Sequence, residues 1–114
     1  MPHSGNLFSG LPDGCQSDET FEPLAEARGV RIERIVSTGQ TTPQGTWLDQ
    51  EQSEWVALLR GAARLLIEGE AKERSLKAGD WLLLPAHRRH RVTWTSDLEP
   101  TVWLAVHFSK PRAA

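Results

Sequence analysis

The chain has 114 residues, of which 39% are hydrophobic and 25% charged, and its formal net charge is −2. That length supports one modest core without a second domain, and the composition is globular rather than disordered. The charge balance excludes a global drive toward nucleic acid or an anionic membrane. The one cysteine, Cys15, rules out an intrachain disulfide and fits a reducing compartment. Met1-Pro2-His3-Ser4-Gly5 lacks the basic start and long apolar run of a secretory signal. No apolar stretch approaches membrane-spanning length. A cytoplasmic, bacterial-type protein is expected.

Residues 1–20 read as loop, with Gly5, Gly10, Pro12 and the Asp13-Gly14 pair as turn signals. Leu7, Phe8 and Leu11 can anchor this stretch by packing on the domain or on a neighbouring copy. Residues 19–28 leave room for one short helical turn, limited by Pro23 and closed by Gly29. An N-terminal arm is therefore expected over 1–28 and the folded domain over 29–110. Residues 30–37 are rich in β-branched side chains and read as a strand. Gly39, Pro43 and Gly45 mark the loop after it. Further strands are expected at 54–59, 63–68, 72–76, 81–84, 90–95 and 101–108. Gly61, Gly69-Glu70, Lys77-Ala78-Gly79-Asp80 and Pro85 separate them, and Pro111 follows the last. Many short strands at spacings of roughly 8–12 residues indicate an all-β sandwich or barrel.

All five tryptophans, Trp47, Trp55, Trp81, Trp94 and Trp103, fall between residues 47 and 103, which places the core there. In the last strand Trp103, Ala105 and His107 share one face, and Val102, Leu104, Val106 and Phe108 the other. A strand apolar on both faces is either central or lines a semi-apolar cavity in which a ligand can sit.

The segment Gly79-Asp80-Trp81-Leu82-Leu83-Leu84-Pro85-Ala86-His87-Arg88-Arg89-His90 resembles the second motif of the cupin superfamily. That motif reads Gly, five residues, Pro, one residue, Gly, two residues, His. Gly79, Pro85 and His90 are in place, and His87 stands where the second Gly would be. Glu54 and Gly61 match the end of the first cupin motif, a Glu and a Gly six residues apart. The resemblance covers roughly residues 45–108. It implies a cupin fold, the double-stranded β-helix or jelly-roll antiparallel barrel, and a homodimer.

Cupins often hold Fe, Mn, Ni or Zn inside the barrel, so the resemblance implies a divalent metal site and a pocket for a small organic ligand. The His-x-His pair that opens the first motif is missing. With a three-residue gap before Glu54 its positions hold Leu48 and Gln50; with a four-residue gap, Trp47 and Asp49. The implied metal residues are Gln50, Glu54 and His90, with Asp49 and His107 as further candidates. Gln50 is preferred because small prokaryotic cupins mostly use the shorter gap, and because Gln50, Gln52 and Glu54 share a face in an unbroken strand. A bend or bulge would bring Asp49 in instead. Imidazole suits Zn, Fe and Ni, and oxygen donors favour harder ions such as Mn. Trp47 and Trp94 are candidate walls of the ligand pocket.

Each residue also has a structural reading: Glu54 paired with an arginine, His90 bonded to backbone, His107 satisfied in the core, His87 at the rim or in solvent. The cluster His87-Arg88-Arg89-His90-Arg91 reads as a solvated face rather than a nucleic-acid site; the minority alternative is an anionic ligand held by one arginine. Nucleophilic catalysis lacks support: Cys15 has no nearby histidine, no serine sits in a Gly-x-Ser-x-Gly turn, and no phosphate-binding glycine loop is present. Three functions stay open: a metal-dependent enzyme acting on a small molecule, a non-catalytic ligand- or metal-binding cupin, and an accessory barrel with a degenerate site. Fold does not choose among them.

Overall fold

The computed structural model describes residues 2–109. Met1, the expected domain end at residue 110 and the Pro111 stop lie outside the described residues. These residues form eight strands and no helix: β1 (Thr20–Ala27), β2 (Val30–Ser37), β3 (Ser53–Arg60), β4 (Ala62–Ile67), β5 (Arg74–Lys77), β6 (Trp81–Leu84), β7 (His90–Thr95) and β8 (Thr101–Phe108). They build a five-stranded sheet in the order β1-β2-β8-β3-β6 and a three-stranded sheet in the order β5-β4-β7. Every pairing is antiparallel.

Residues 19–28 correct one expectation, because they hold no helical turn and instead form strand β1. Pro23 argued against a regular element there, but β1 is the edge of its sheet, where a missing N–H is tolerated. The register slips between Pro23 and Ala25, a bulge that absorbs the proline. Gly29 then turns the chain back into β2 with a φ of 76°, so residue 28 lies in a hairpin. The segment before β1 is tied to its own sheet. Arg34 Nη1 donates to the carbonyls of Leu7 (3.1 Å) and Ser9 (2.6 Å), and Gln16 N donates to Thr38 Oγ1 (2.9 Å).

Period-two alternation fills the space between the sheets. Val56 and Leu58, Leu65 and Ile67, Leu82 and Leu84, and Trp103 and Ala105 pack with Ala63 and Leu76 into one buried cluster. Apolar surface remains at both edges of the larger sheet, with Phe21 and Leu24 exposed on β1 and Trp81 and Leu83 on β6. Trp81 leans on Trp55 of β3, ring centroids 6.1 Å apart.

Register decides where polar residues enter the interior. Leu58 sits opposite Trp103, Val56 opposite Ala105, and Glu54 opposite His107. On β2, Ile35 pairs with Trp103 and Glu33 with Ala105. Apolar inward positions therefore collect at one end of these three strands, while Glu33, Glu54 and His107, all buried, collect at the other.

Candidate functional site

The polar end of the interior opens into a cavity of about 420 Å³ whose lining includes Glu33, Gln50, Glu54, His90, Trp103 and His107. They come from five places in the fold: Glu33 from β2, Gln50 from the loop before β3, Glu54 from β3, His90 from β7, and Trp103 and His107 from β8. Ile35, Val56, Leu65, Leu84 and Val92 supply apolar wall. Small-molecule sites commonly have this makeup, apolar walls with a few converging polar groups.

His90 is placed by an extra strand-like contact. Leu48 N donates to His90 O (2.7 Å) and His90 N to Leu48 O (3.1 Å), so the loop before β3 runs along the start of β7. His87 N donates to Gln50 O (2.8 Å) and holds the next turn of the same loop. His90 Nδ1 lies 3.0 Å from the carbonyl oxygen of Arg88. A carbonyl can only accept, so Nδ1 carries a proton, and in the neutral ring the lone pair is on Nε2. His107 Nε2 lies 2.9 Å from Glu33 Oε1, and both side chains are buried. That bond orients the ring and gives the buried Glu33 carboxylate a close hydrogen-bonding partner.

Glu54 is a perturbed group in the cavity. Burial pushes its carboxyl above the ordinary range; His107, His90 and a hydrogen bond from Gln50 oppose the rise, and Glu33 adds to it. Glu19 also lines the cavity and is raised by burial, against a hydrogen bond from Ser37. A carboxyl in a cavity, perturbed by burial and by specific charged neighbours, has the physical character of a functional group.

Of the residues singled out from sequence, Gln50, Glu54, His90 and His107 do line one cavity. Asp49 does not: it faces outward and accepts from His87 Nδ1 at 2.8 Å. Gln50 enters although the strand is not unbroken, since β3 begins only at Ser53, and Gln52 turns away to Ser109 Oγ (3.2 Å). Trp47 and Trp94 also require correction, as neither lines the cavity. Each is covered by an arginine on the outer surface, Arg89 over Trp47 (5.7 Å) and Arg64 over Trp94 (5.0 Å). The aromatic side chains of the lining are Phe21 and Trp103. The arginines of the 87–91 cluster stay outside the lining, and Arg89 bonds Glu68 at 2.9 Å. His87 adopts a φ of 62°, so it keeps the left-handed backbone that a glycine would take there.

Glu33 was missed. In residues 30–37 both faces carry a charged side chain, so alternation alone cannot say that Glu33 rather than Arg34 points inward. Trp103 could have been found, because it shares a face with His107.

The residues present do not fit a three-histidine, one-glutamate metal centre. The two positions that would complete it hold Leu48 and Gln50, and His107 commits Nε2 to Glu33. Among the described residues no three His, Cys, Asp or Glu side chains are grouped to hold an ion. What remains is three unlike donors: His90 Nε2, a Glu54 oxygen and the Gln50 amide oxygen.

Two antiparallel sheets closed over an internal cavity, with the polar groups at one end, define a small jelly-roll barrel. The chain belongs to the cupin family: the Cupin domain profile matches residues 35–107. It is similar to the crystal structure of a putative mannose-6-phosphate isomerase from Ralstonia eutropha JMP134, with 51% identity, a TM-score of 0.92, and coverage of 96% of this chain and 100% of that one. A cupin superfamily protein from Desulfitobacterium hafniense DCB-2 matches with 15% identity and a TM-score of 0.73 over 96% of this chain and 94% of that one. A cupin family protein with a double-stranded β-helix fold from Methanocaldococcus jannaschii matches with 16% identity and a TM-score of 0.65 over 82% of each chain. The last two bear on the fold alone. No curated protein sequence matches the chain.

Proposed function

We propose that this cupin binds a small organic molecule in the barrel cavity and that Glu54 moves a proton on it. The observation that carries this reading is the buried Glu54 carboxyl, raised by burial, in one cavity with His90 and His107. A carboxylate with a raised pKa is a stronger base than an exposed one and holds its proton closer to neutral pH. The similarity to a protein described as a putative mannose-6-phosphate isomerase supports a hydroxy-carbonyl ligand. On such a ligand ionised Glu54 takes the hydrogen from the carbon bearing the hydroxyl, leaving an enediolate. The carboxylic acid then returns a proton to the neighbouring carbon, while the hydroxyl proton passes to the other oxygen. Aldose becomes ketose with no net oxidation, and in heavy water the transferred position acquires deuterium.

The test is proton NMR of D-mannose and D-mannose 6-phosphate in heavy water. The parent protein is expected to wash deuterium into C2 of at least one sugar faster than buffer does. Glu54→Gln is expected to slow this by about 10²–10⁴-fold, the usual range for a general base. No exchange above buffer with either sugar rejects the proton-transfer reading and leaves a binding protein.

A second reading is a divalent ion held by Gln50, Glu54 and His90, favoured by the tautomer of His90. Its Nδ1–H is bonded to the Arg88 carbonyl, the outer-shell contact that orients metal-binding imidazoles and leaves Nε2 free to ligate. Elemental analysis of protein purified without added metal decides it. Stoichiometric metal in the parent that is lost in His90→Ala and Glu54→Ala supports the ion; none in the parent, even after reconstitution, removes it.

A further inference from the structure

The cavity lining has an unusual balance of hydrogen-bonding groups. It holds the three carboxyls of Glu19, Glu33 and Glu54, and among the described residues no lysine or arginine lines it. Arg31 approaches Glu33 Oε2 at 3.7 Å, but its side chain is 45% exposed and outside the lining.

Most of the side-chain N–H donors facing this space are already engaged. Trp103 Nε1 donates to Ser37 Oγ (3.1 Å). Gln40 Nε2 donates to Gln16 O (2.9 Å) and Thr38 Oγ1 (3.0 Å). His90 Nδ1–H is held by Arg88 O and His107 Nε2 by Glu33, and the Gln50 amide serves Glu54. What the cavity still offers is mostly acceptors: carboxyl oxygens and the second nitrogen of each imidazole. The hydroxyls of Thr41, Thr42 and Thr46 also line it, and a hydroxyl accepts as readily as it donates.

We infer that the cavity selects ligands by charge: it takes a small molecule with an apolar body and a donor-bearing head, best a protonated amine and next a hydroxyl, and it rejects carboxylates and phosphates. A phosphate or carboxylate head brings negative charge and only acceptors to a lining of three carboxyls with no lysine or arginine, and its desolvation is poorly compensated. An ammonium brings three donors and a charge that favours the ionised form of Glu54 and Glu19. This rests on the reading that the cavity is a ligand site, and it separates this chain's ligand from a sugar phosphate.

A shape-matched series isolates the head group: benzylamine, benzyl alcohol and phenylacetate. Dissociation constants are read from the NMR signals of the Trp103 indole and the His90 and His107 rings, which report on this cavity alone. Benzylamine is expected to bind at least tenfold more tightly than phenylacetate, with benzyl alcohol between them. The gap is expected to shrink in the double variant Glu19→Gln, Glu54→Gln. Phenylacetate binding as tightly as benzylamine, or an undiminished gap in the double variant, overturns the charge rule while leaving the cavity a ligand site. If none of the three moves these signals at millimolar concentration, the charge rule falls, and the deuterium exchange of the sugars decides the proton-transfer reading separately.

Discussion

Glu54→Gln is expected to make the protein more stable at neutral pH while it removes proton transfer. Glu54 is 6% exposed and its carboxyl is raised mainly by burial, so the ionised form is the one the interior penalises. Glutamine keeps the shape and the hydrogen-bonding capacity without the charge. A gain on the order of 1 kcal/mol is expected, about 4–6 °C in Tm for a domain of this size. The direction with pH follows from linkage. A raised folded-state pKa means that the native protein holds a proton the unfolded chain has released. The stability from Glu54 is therefore complete below the unfolded value near ~4.3 and is lost as pH rises through the folded value. The advantage of the variant should vanish near about pH 4 and grow as pH rises through the folded value and into the alkaline range. Thermal unfolding of both proteins across that range measures it. An equal or lower Tm for the variant at the upper end would show that His107, His90 and Gln50 offset the burial cost entirely. The same measurement shows that loss of exchange in Glu54→Gln is not loss of fold.

Gly61→Ala is expected to be among the most damaging single-methyl changes in the chain. Gly61 joins β3 to β4 with a φ of 91°, where a side chain costs about 1–2 kcal/mol. A Cβ there would also lie 2.7 Å from Thr101 Cα and would run into Thr101 Oγ1. Thr101 is fully buried on β8 and bonds through Oγ1 to the Ala62 carbonyl (3.2 Å), so it cannot step aside cheaply. Overpacking adds about 1–3 kcal/mol, for a total of about 2–5 kcal/mol against the 5–15 kcal/mol that such domains have in all. Gly79, the other motif glycine, has a φ of 96° but nothing within 4 Å of a Cβ. Gly79→Ala should cost only the backbone share of about 1–2 kcal/mol. Denaturant titration compares them through the midpoint at constant slope. Equal costs would mean that β8 yields and that the close approach at Gly61 carries no energy.

These two glycines show why the barrel could be read before it was seen. Turns that need positive φ leave a local mark, and so do strands that alternate. The bounds at 30–37, 81–84, 90–95 and 101–108 coincide with β2, β6, β7 and β8. The exception is β1, whose Pro23 breaks the local rule and is tolerated only because the strand is an edge. Edge position belongs to the whole sheet and leaves no trace in residues 20–27.

The pocket divides in the same way. Glu54 and His90 could be placed from sequence, because each sits at a fixed distance from a turn residue: Gly61 for one, Gly79 and Pro85 for the other. That much the chain determines by itself, along with the all-β class and the absence of the histidine pair. Its partners were decided in three dimensions. Asp49 and Gln50 are neighbours in sequence, and only the backbone bonds of the 48–50 loop to residues 87–90 send one outward to His87 and the other into the cavity. Glu33 meets His107 across 74 positions of sequence through the register of β2 on β8. Register is set by the summed packing of both sheets. Glu54, His90, Gln50 and His107 thus line one cavity with Glu33 and Trp103, while Asp49, Trp47 and Trp94 lie outside it.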